Sequence, residues 1–175
     1  MSRDTTSWMV EGDEWWVVDT PYGEMLLAGS EDELHHVLLP NATEEVRETL
    51  EDEREGRPGA VAEAEQQMKE YFAGERLQFE LPLDPRGTPF QRSVWFALGQ
   101  IPYGETSTYG QVAARVGHPT AFRAVGATNA RNPLPIVLPC HRVIGSNGKL
   151  VGFGGGIALK EQLLAHERGV LAGRG

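Results

Sequence analysis

At 175 residues with 40% hydrophobic side chains, the chain is long enough for one domain or two small ones with a packed core, and its single cysteine excludes an internal disulfide framework. The five histidines, His35, His36, His118, His141 and His166, are scattered, and no structural zinc spacing such as CxxC is present. The net charge of −9 is uneven: residues 1–80 carry 6 Lys/Arg against 21 Asp/Glu, and residues 81–175 carry 10 against 4, which fits either a second half facing a polyanion or acidic residues gathered on solvated helices.

The first 20 residues lack a basic start followed by an apolar core, and no run of 18 apolar residues occurs, so neither a signal peptide nor a membrane span is expected. With one thiol, this points to a reduced, cytoplasmic setting. Trp15 to Thr20 reads as a strand, Pro21-Tyr22-Gly23-Glu24 as a turn and Met25 to Ala28 as the returning strand of a hairpin, with Leu34 to Leu39 as a third strand. The carboxylate-rich run Glu44 to Glu55 reads as a solvated helix or loop. Val61, Ala64, Met68, Tyr71 and Phe72 recur at helical spacing up to a stop at Gly74, and Leu77, Phe79 and Leu81 alternate as in a strand.

"PLDPRGTP", residues 82–89, breaks every periodicity and is the expected boundary between residues 1–83 and 84–175. Directly after it, Thr88 and Gln91 form a capping box, Pro89 takes the first helical position, and Phe90, Val94, Trp95 and Leu98 make one apolar face, predicting a helix from 89 to about 99. Thr106 or Ser107 can cap the next helix, with Tyr109, Val112, Ala113 and Val116 on one face, ending at Gly117. After Gly117-His118-Pro119, Thr120 is expected to cap again, with Ala121, Ala124, Val125 and Thr128 facing one way and Arg123 and Arg131 off that face. The pair fits either a helix-turn-helix whose second helix enters a DNA groove or an ordinary helical hairpin.

The one cysteine sits in "PIVLPCHRVIGSNGKL", residues 135–150. After Ile136-Val137-Leu138 a thiol is commonly plain core, but His141 and Arg142 supply a base and a cation within two residues. Adjacent side chains rarely face each other, so transfer from Cys140 to His141 needs a turn or a bridging water. Leu159, Leu163 and Leu164 mark a last helix ending near Gly169, with Glu167 in its last turn, where a carboxylate opposes the dipole and would be held by a partner such as a histidine. A Cys, His, Glu relay would result.

"PCHRV" at 139–143, preceded by "RNPLPIVL" and followed by "GFGGG" and "KEQLLAHE", resembles the O6-alkylguanine-DNA alkyltransferases, also called methylated-DNA-protein-cysteine methyltransferases. The resemblance is strong from Thr88 to Glu167 and weaker in "DTPYGEMLLAGS". It implies an α+β protein, with a small N-terminal α/β domain of ribonuclease H type followed by a mainly helical, winged-helix-like domain carrying the helix-turn-helix. It implies Cys140 as alkyl acceptor, His141 as base through a water, Glu167 as the group orienting His141, Asn132 as the tie of the active-site turn and Tyr109 as the residue meeting the flipped base. Arg123 would fill the gap in the DNA stack, with Thr120, Ala121, Asn129 and Arg131 beside Tyr109 on the DNA face, while Val143, Phe153 and Gly154 would line the substrate pocket.

The implied partner is double-stranded DNA containing alkylated guanine, acted on by a monomer without cofactor or metal, each molecule reacting once because a thioether resists water. Some relatives carry a zinc site in the first half, which this chain cannot build from thiolates. Where several relatives have Tyr-Ser at the pocket lip, this chain has Phe153-Gly154. Two other readings use the same residues: a thiol hydrolase with a Cys140, His141, Glu167 triad, which would turn over, and a helix-turn-helix protein whose cysteine only packs.

Overall fold

The computed structural model of the chain describes residues 9, 11–48, 50 and 59–175, so most of the carboxylate run beyond Glu48 lies outside the described residues. The described chain separates into two units, one ending at Asp84 and the other beginning at Pro85.

In the first unit, β1 (Glu14–Thr20), β2 (Gly23–Gly29) and β3 (Leu34–Leu38) form an antiparallel sheet in that order, with Trp16 opposite Leu27 and Thr20 opposite Gly23. β2 is central and Met25 to Ala28 are all fully buried, so this strand reads as a continuous apolar run instead of alternating. Leu26 and Ala28 pack against Val46 of α1 (Pro40–Arg47). Met25 and Leu27 point to the other face by strand alternation, where α2 (Gly59–Phe72) supplies Val61, Ala64, Met68 and Tyr71. Gly29 is required at the end of β2, because a Cβ there would lie 2.4 Å from the Glu33 carbonyl oxygen.

Leu77, Phe79 and Leu81 form no strand. They are half-buried while the residues between them are exposed, so their alternation reports an extended segment lying on the unit without a ladder partner. Only at Leu83 does this segment pair, through a single parallel bridge to Leu34. That bridge brings Asp84 to Glu33 and His35, whose ligand atoms fall within 4.8 Å of one another. The set offers oxygen and imidazole without thiolate, and His35 Nδ1 is already bonded to Asp13 Oδ1 at 2.6 Å; carboxylate clusters of this kind are common without an ion, and no role is assigned to it.

The second unit is mainly helical. α3 (Pro89–Leu98) starts in the expected capping box: Gln91 N–H donates to Thr88 Oγ1 at 3.2 Å and Thr88 N–H to Gln91 Oε1 at 3.0 Å. β4 (Ser107–Thr108) pairs in parallel with β5 (Val143–Ile144), and Thr108, not Thr106 or Ser107, caps α4 (Tyr109–Arg115), again through a capping box with Gln111. Gly117 ends α4 at φ +81°, a conformation that suits glycine and sets the turn into α5 (Phe122–Ala130). Thr120 makes no side-chain cap; Ala121 holds the N-cap position. On α5 the buried residues are Val125, Thr128 and Asn129, whereas Ala124 is exposed, so the inward stripe is rotated from the expected one.

α3 packs on both α4 and α5, and Trp95 Nε1–H donates to the Thr128 carbonyl at 2.9 Å, fixing the second helix of the pair against the first helix of the unit. α6 (Ile157–Arg174) buries Leu159, Lys160, Leu163, Leu164 and Glu167. It runs through Gly169 instead of ending there, since an exposed glycine in a helix costs only about 1 kcal/mol and nothing crowds it. Among the described residues, no helix is long and apolar enough to cross a membrane.

Candidate active site

The chain from Asn132 to Val143 folds back on itself around one asparagine. Asn132 Nδ2 donates to the Leu138 carbonyl at 2.7 Å and its Oδ1 accepts from Leu134 N–H at 3.0 Å, which closes a loop that the apolar run alone would not make. Within it Ile136 is buried at φ +73°, an unfavourable conformation for a β-branched residue. The loop delivers Cys140 into a short 3-10 turn, Cys140–Arg142. Asn129, taken with the DNA face from sequence, is buried and turned inward instead, its Nδ2 donating to the Cys140 carbonyl at 3.4 Å.

Glu167 is buried in the middle of α6 and meets three donors. His141 Nε2 lies 2.8 Å from its Oε1, Arg142 grips both oxygens through Nε and Nη2 at 2.9 and 2.8 Å, and Gly104 N–H donates to Oε2 at 3.1 Å. The dipole argument for a partner thus fails, because Glu167 is not in the last turn, although the partner histidine is present. Burial alone would raise the carboxyl pKa; the hydrogen bonds and charges of His141 and Arg142 outweigh it and lower the pKa to about 2. Arg142 is therefore not the cation beside the thiol that its sequence position suggests: its third nitrogen donates to the Ile101 carbonyl at 2.7 Å and its plane lies over Tyr103.

Burial sets the charge of His141, and the ionised Glu167 sets its tautomer. Burial is the main reason that the imidazole pKa is lowered, with Glu167 pulling the other way, so the ring is neutral at physiological pH. A neutral ring facing a carboxylate through Nε2 carries its proton there, which leaves Nδ1 a bare acceptor. Nδ1 is buried and has no hydrogen-bond partner.

Burial raises the Cys140 pKa above the ordinary thiol value; a hydrogen bond from Asn132, the Lys160 charge and the backbone N–H groups of Cys140 and His141 act against it. Lys160 escaped the sequence reading entirely. It is fully buried on α6, and its ammonium donates to the carbonyls of Val143 and, at 3.2 Å, Val151. Burial lowers its own pKa, and a thiolate at Cys140 would raise it again. The signal available in sequence was its register, one position after Leu159 and three before Leu163, on the inward side of the helix.

Tyr109, half-buried at the start of α4, donates its hydroxyl to the same Val151 carbonyl at 3.1 Å. Its pKa is raised by burial first and by the Cys140 charge second. Val143 is fully buried in β5, Phe153 is half-buried and Gly154 is exposed. On the outer side of the unit, Arg123, Thr120 and Arg131 are exposed and Ala121 is half-buried; the Arg123 guanidinium lies 5.9 Å from the Phe122 ring.

One consequence is a pH effect on stability. Glu167 titrates near 4.5 when unfolded and at about 2 when folded, so its contribution is complete above the unfolded value and is lost as pH falls through the folded one. The difference amounts to about 3 kcal/mol. Urea unfolding followed from pH 6 to pH 2.5 should show this acid limb in the parent and a flatter one in Glu167→Gln; equal slopes would mean that the cluster does not hold the carboxylate ionised.

Comparison with known proteins follows the two units. Residues 15–85 match the family model for the 6-O-methylguanine DNA methyltransferase ribonuclease-like domain, and residues 89–169 match that for the 6-O-methylguanine DNA methyltransferase DNA binding domain. A methylated-DNA–protein-cysteine methyltransferase from Mycolicibacterium paratuberculosis is 49% identical over 158 residues, 89% of this chain and 92% of the relative. The constitutive methylated-DNA–protein-cysteine methyltransferase of Bacillus subtilis is 48% identical over 86% of this chain and 92% of its own length. Among solved structures, Mycobacterium tuberculosis O6-methylguanine methyltransferase superposes with a TM-score of 0.78 at 45% identity, covering 90% of this chain and 93% of the other. The M. tuberculosis protein in complex with DNA gives 0.76 at 44% identity, covering 89% and 93%.

Proposed function

The chain belongs to the 6-O-methylguanine DNA methyltransferase family, and on that premise we propose that it repairs DNA by transferring the alkyl group of O6-alkylguanine to Cys140, once and irreversibly, with the base turned out of the duplex. Residues 84–175 carry both DNA binding and alkyl acceptance, as a monomer on double-stranded DNA, and the reading extends to O4-alkylthymine as a second substrate class. What carries the reading is the neutral His141 beside Cys140, with Nδ1 bare and Nε2 pinned by an ionised Glu167.

A buried thiol with a raised pKa needs a base at the moment of reaction. Adjacent side chains on a 3-10 turn diverge, so the Cys140 proton passes to His141 Nδ1 through a bridging water, and Glu167 stabilises the imidazolium that forms. Lys160 and the Asn132 amide then hold the thiolate. Sulfur attacks the alkyl carbon; the C–S bond forms as the C–O6 bond breaks, and its electron pair moves onto the guanine ring. The Tyr109 hydroxyl, released from Val151, donates to the ring as that charge develops. The thiol proton is returned from His141 to the departing guanine, so charge balances, and the thioether remains.

Phe153-Gly154 supplies no hydroxyl for the substrate O6, so any donor at the lip would come from the backbone, and the exposed Gly154 leaves room for bulky adducts. The chemistry as drawn needs no cofactor. Intact mass after mixing with excess oligonucleotide containing O6-methylguanine tests it: the protein should gain one methyl group, mapped to Cys140, and stop. Continued turnover without lasting mass gain would overturn the proposal in favour of a thiol hydrolase.

A further inference from the structure

Phe122 is 49% exposed, the most exposed of the large hydrophobic side chains among the described residues, and it opens α5. Its register gives it a direction. Four residues on, Gly126 is where an added Cβ would lie 3.8 Å from the Tyr109 ring, and seven residues on, Asn129 bonds the carbonyl of Cys140. Positions i, i+4 and i+7 share one stripe of a helix, so Phe122 ends the stripe that runs from the reactive cysteine past Tyr109 to the solvent edge of the unit. Arg123 is one position round the helix from it, and the guanidinium packs over the Phe122 ring at 5.9 Å, within cation–π range. The rest of the exposed face of α5 is small, with Ala124, Ala127 and Ala130, which lets the helix backbone come close to another surface.

We propose that Phe122 is a DNA-contacting residue at the mouth of the pocket, whose ring packs on the sugar and neighbouring base of the extruded nucleotide while its edge holds the Arg123 guanidinium in place. An exposed aromatic ring is poorly hydrated in the free protein, and a surface of stacked bases is the partner that covers it best: every base offers a π-face, and apolar side chains inserted at a base step offset the cost of unstacking. The net positive second half supplies the attraction to the backbone, which an apolar ring cannot. The inference rests on the base-flipping reading above, extends it to a residue next to the wedge, and is tested separately from it.

Single-turnover transfer is measured on saturating duplex containing O6-methylguanine and on free O6-alkylguanine, for the parent, Phe122→Ala, Phe122→Trp and Arg123→Ala. Phe122→Ala should lose about tenfold on duplex, about 1.4 kcal/mol, keep the parental rate on the free base, and be restored by Phe122→Trp. A parental rate on saturating duplex overturns the inference, whether or not affinity has changed. Equal losses on duplex and free base also overturn it, since they would mean that the ring only supports the pocket. A parent that transfers no alkyl group would instead sink the proposed function itself, and a duplex-specific loss in Phe122→Ala without one in Arg123→Ala would leave the inference standing and move the wedge to Phe122.

Discussion

Cys140→Ala is expected to abolish alkyl transfer to the limit of detection while the protein still binds duplex DNA. In the proposed reaction the sulfur forms the new bond, and no other thiol exists in the chain to replace it. In the proposed function binding is built elsewhere, on the exposed side of α5 and on the net positive charge of residues 81–175, independently of the chemistry at sulfur. The substitution is also structurally mild. The turn around Cys140 is held by backbone atoms, with Asn129 on its carbonyl and its N–H donating to the Leu138 carbonyl at 2.8 Å, and these survive the loss of the side chain. Mass spectrometry with methylated oligonucleotide reads the first half of the expectation and gel shift on unmodified duplex reads the second. A variant that has lost DNA affinity under conditions where the parent binds would tie the thiol to binding and return the cysteine to a packing role.

What the sequence disclosed about this site, and what it hid, divides by the range of the interaction. Local chemistry was legible: the Thr88/Gln91 capping box, the glycine that ends α4 and the cysteine beside a histidine all depend on residues within four positions of each other. Even here short-range signals competed, and Thr108 took the cap from Thr106 and Ser107 because it alone has a glutamine, Gln111, three residues on to complete a capping box. Long reach explains Arg142 and Lys160. The sequence assigned Lys160 no role and offered Arg142 as a cation for the thiol, yet both side chains are buried. One is drawn inside by two carbonyls from the loop after the cysteine and the other by Glu167, Ile101 and Tyr103. Buried charges are tolerated only when paired or fully bonded, and the pairing partners lie 25 and 41 residues from Arg142, beyond any periodicity. Leu77, Phe79 and Leu81 err the other way: their alternation is real as burial but finds no neighbouring strand.

Arg123→Ala should slow transfer from duplex DNA by two to three orders of magnitude, about 3–4 kcal/mol, with nearly the parental rate on free O6-alkylguanine. A guanidinium that fills the gap left in the stack acts only once the base is out, so its loss appears in the step that extrudes the base and not in the chemistry at sulfur. The structure keeps the two apart: Arg123 is exposed on α5, whereas Cys140, His141 and Glu167 are bound up with α6 and the Asn132 loop. Free base needs no extrusion. An arginine that merely contacts phosphate would show a different pattern, with weaker affinity, a shallower dependence on salt and full recovery at saturating DNA. Single-turnover rates on saturating duplex and on the free base therefore separate three outcomes. Loss on duplex alone marks a wedge, equal loss on both marks a support of the pocket, and a loss cured by saturation marks a backbone contact.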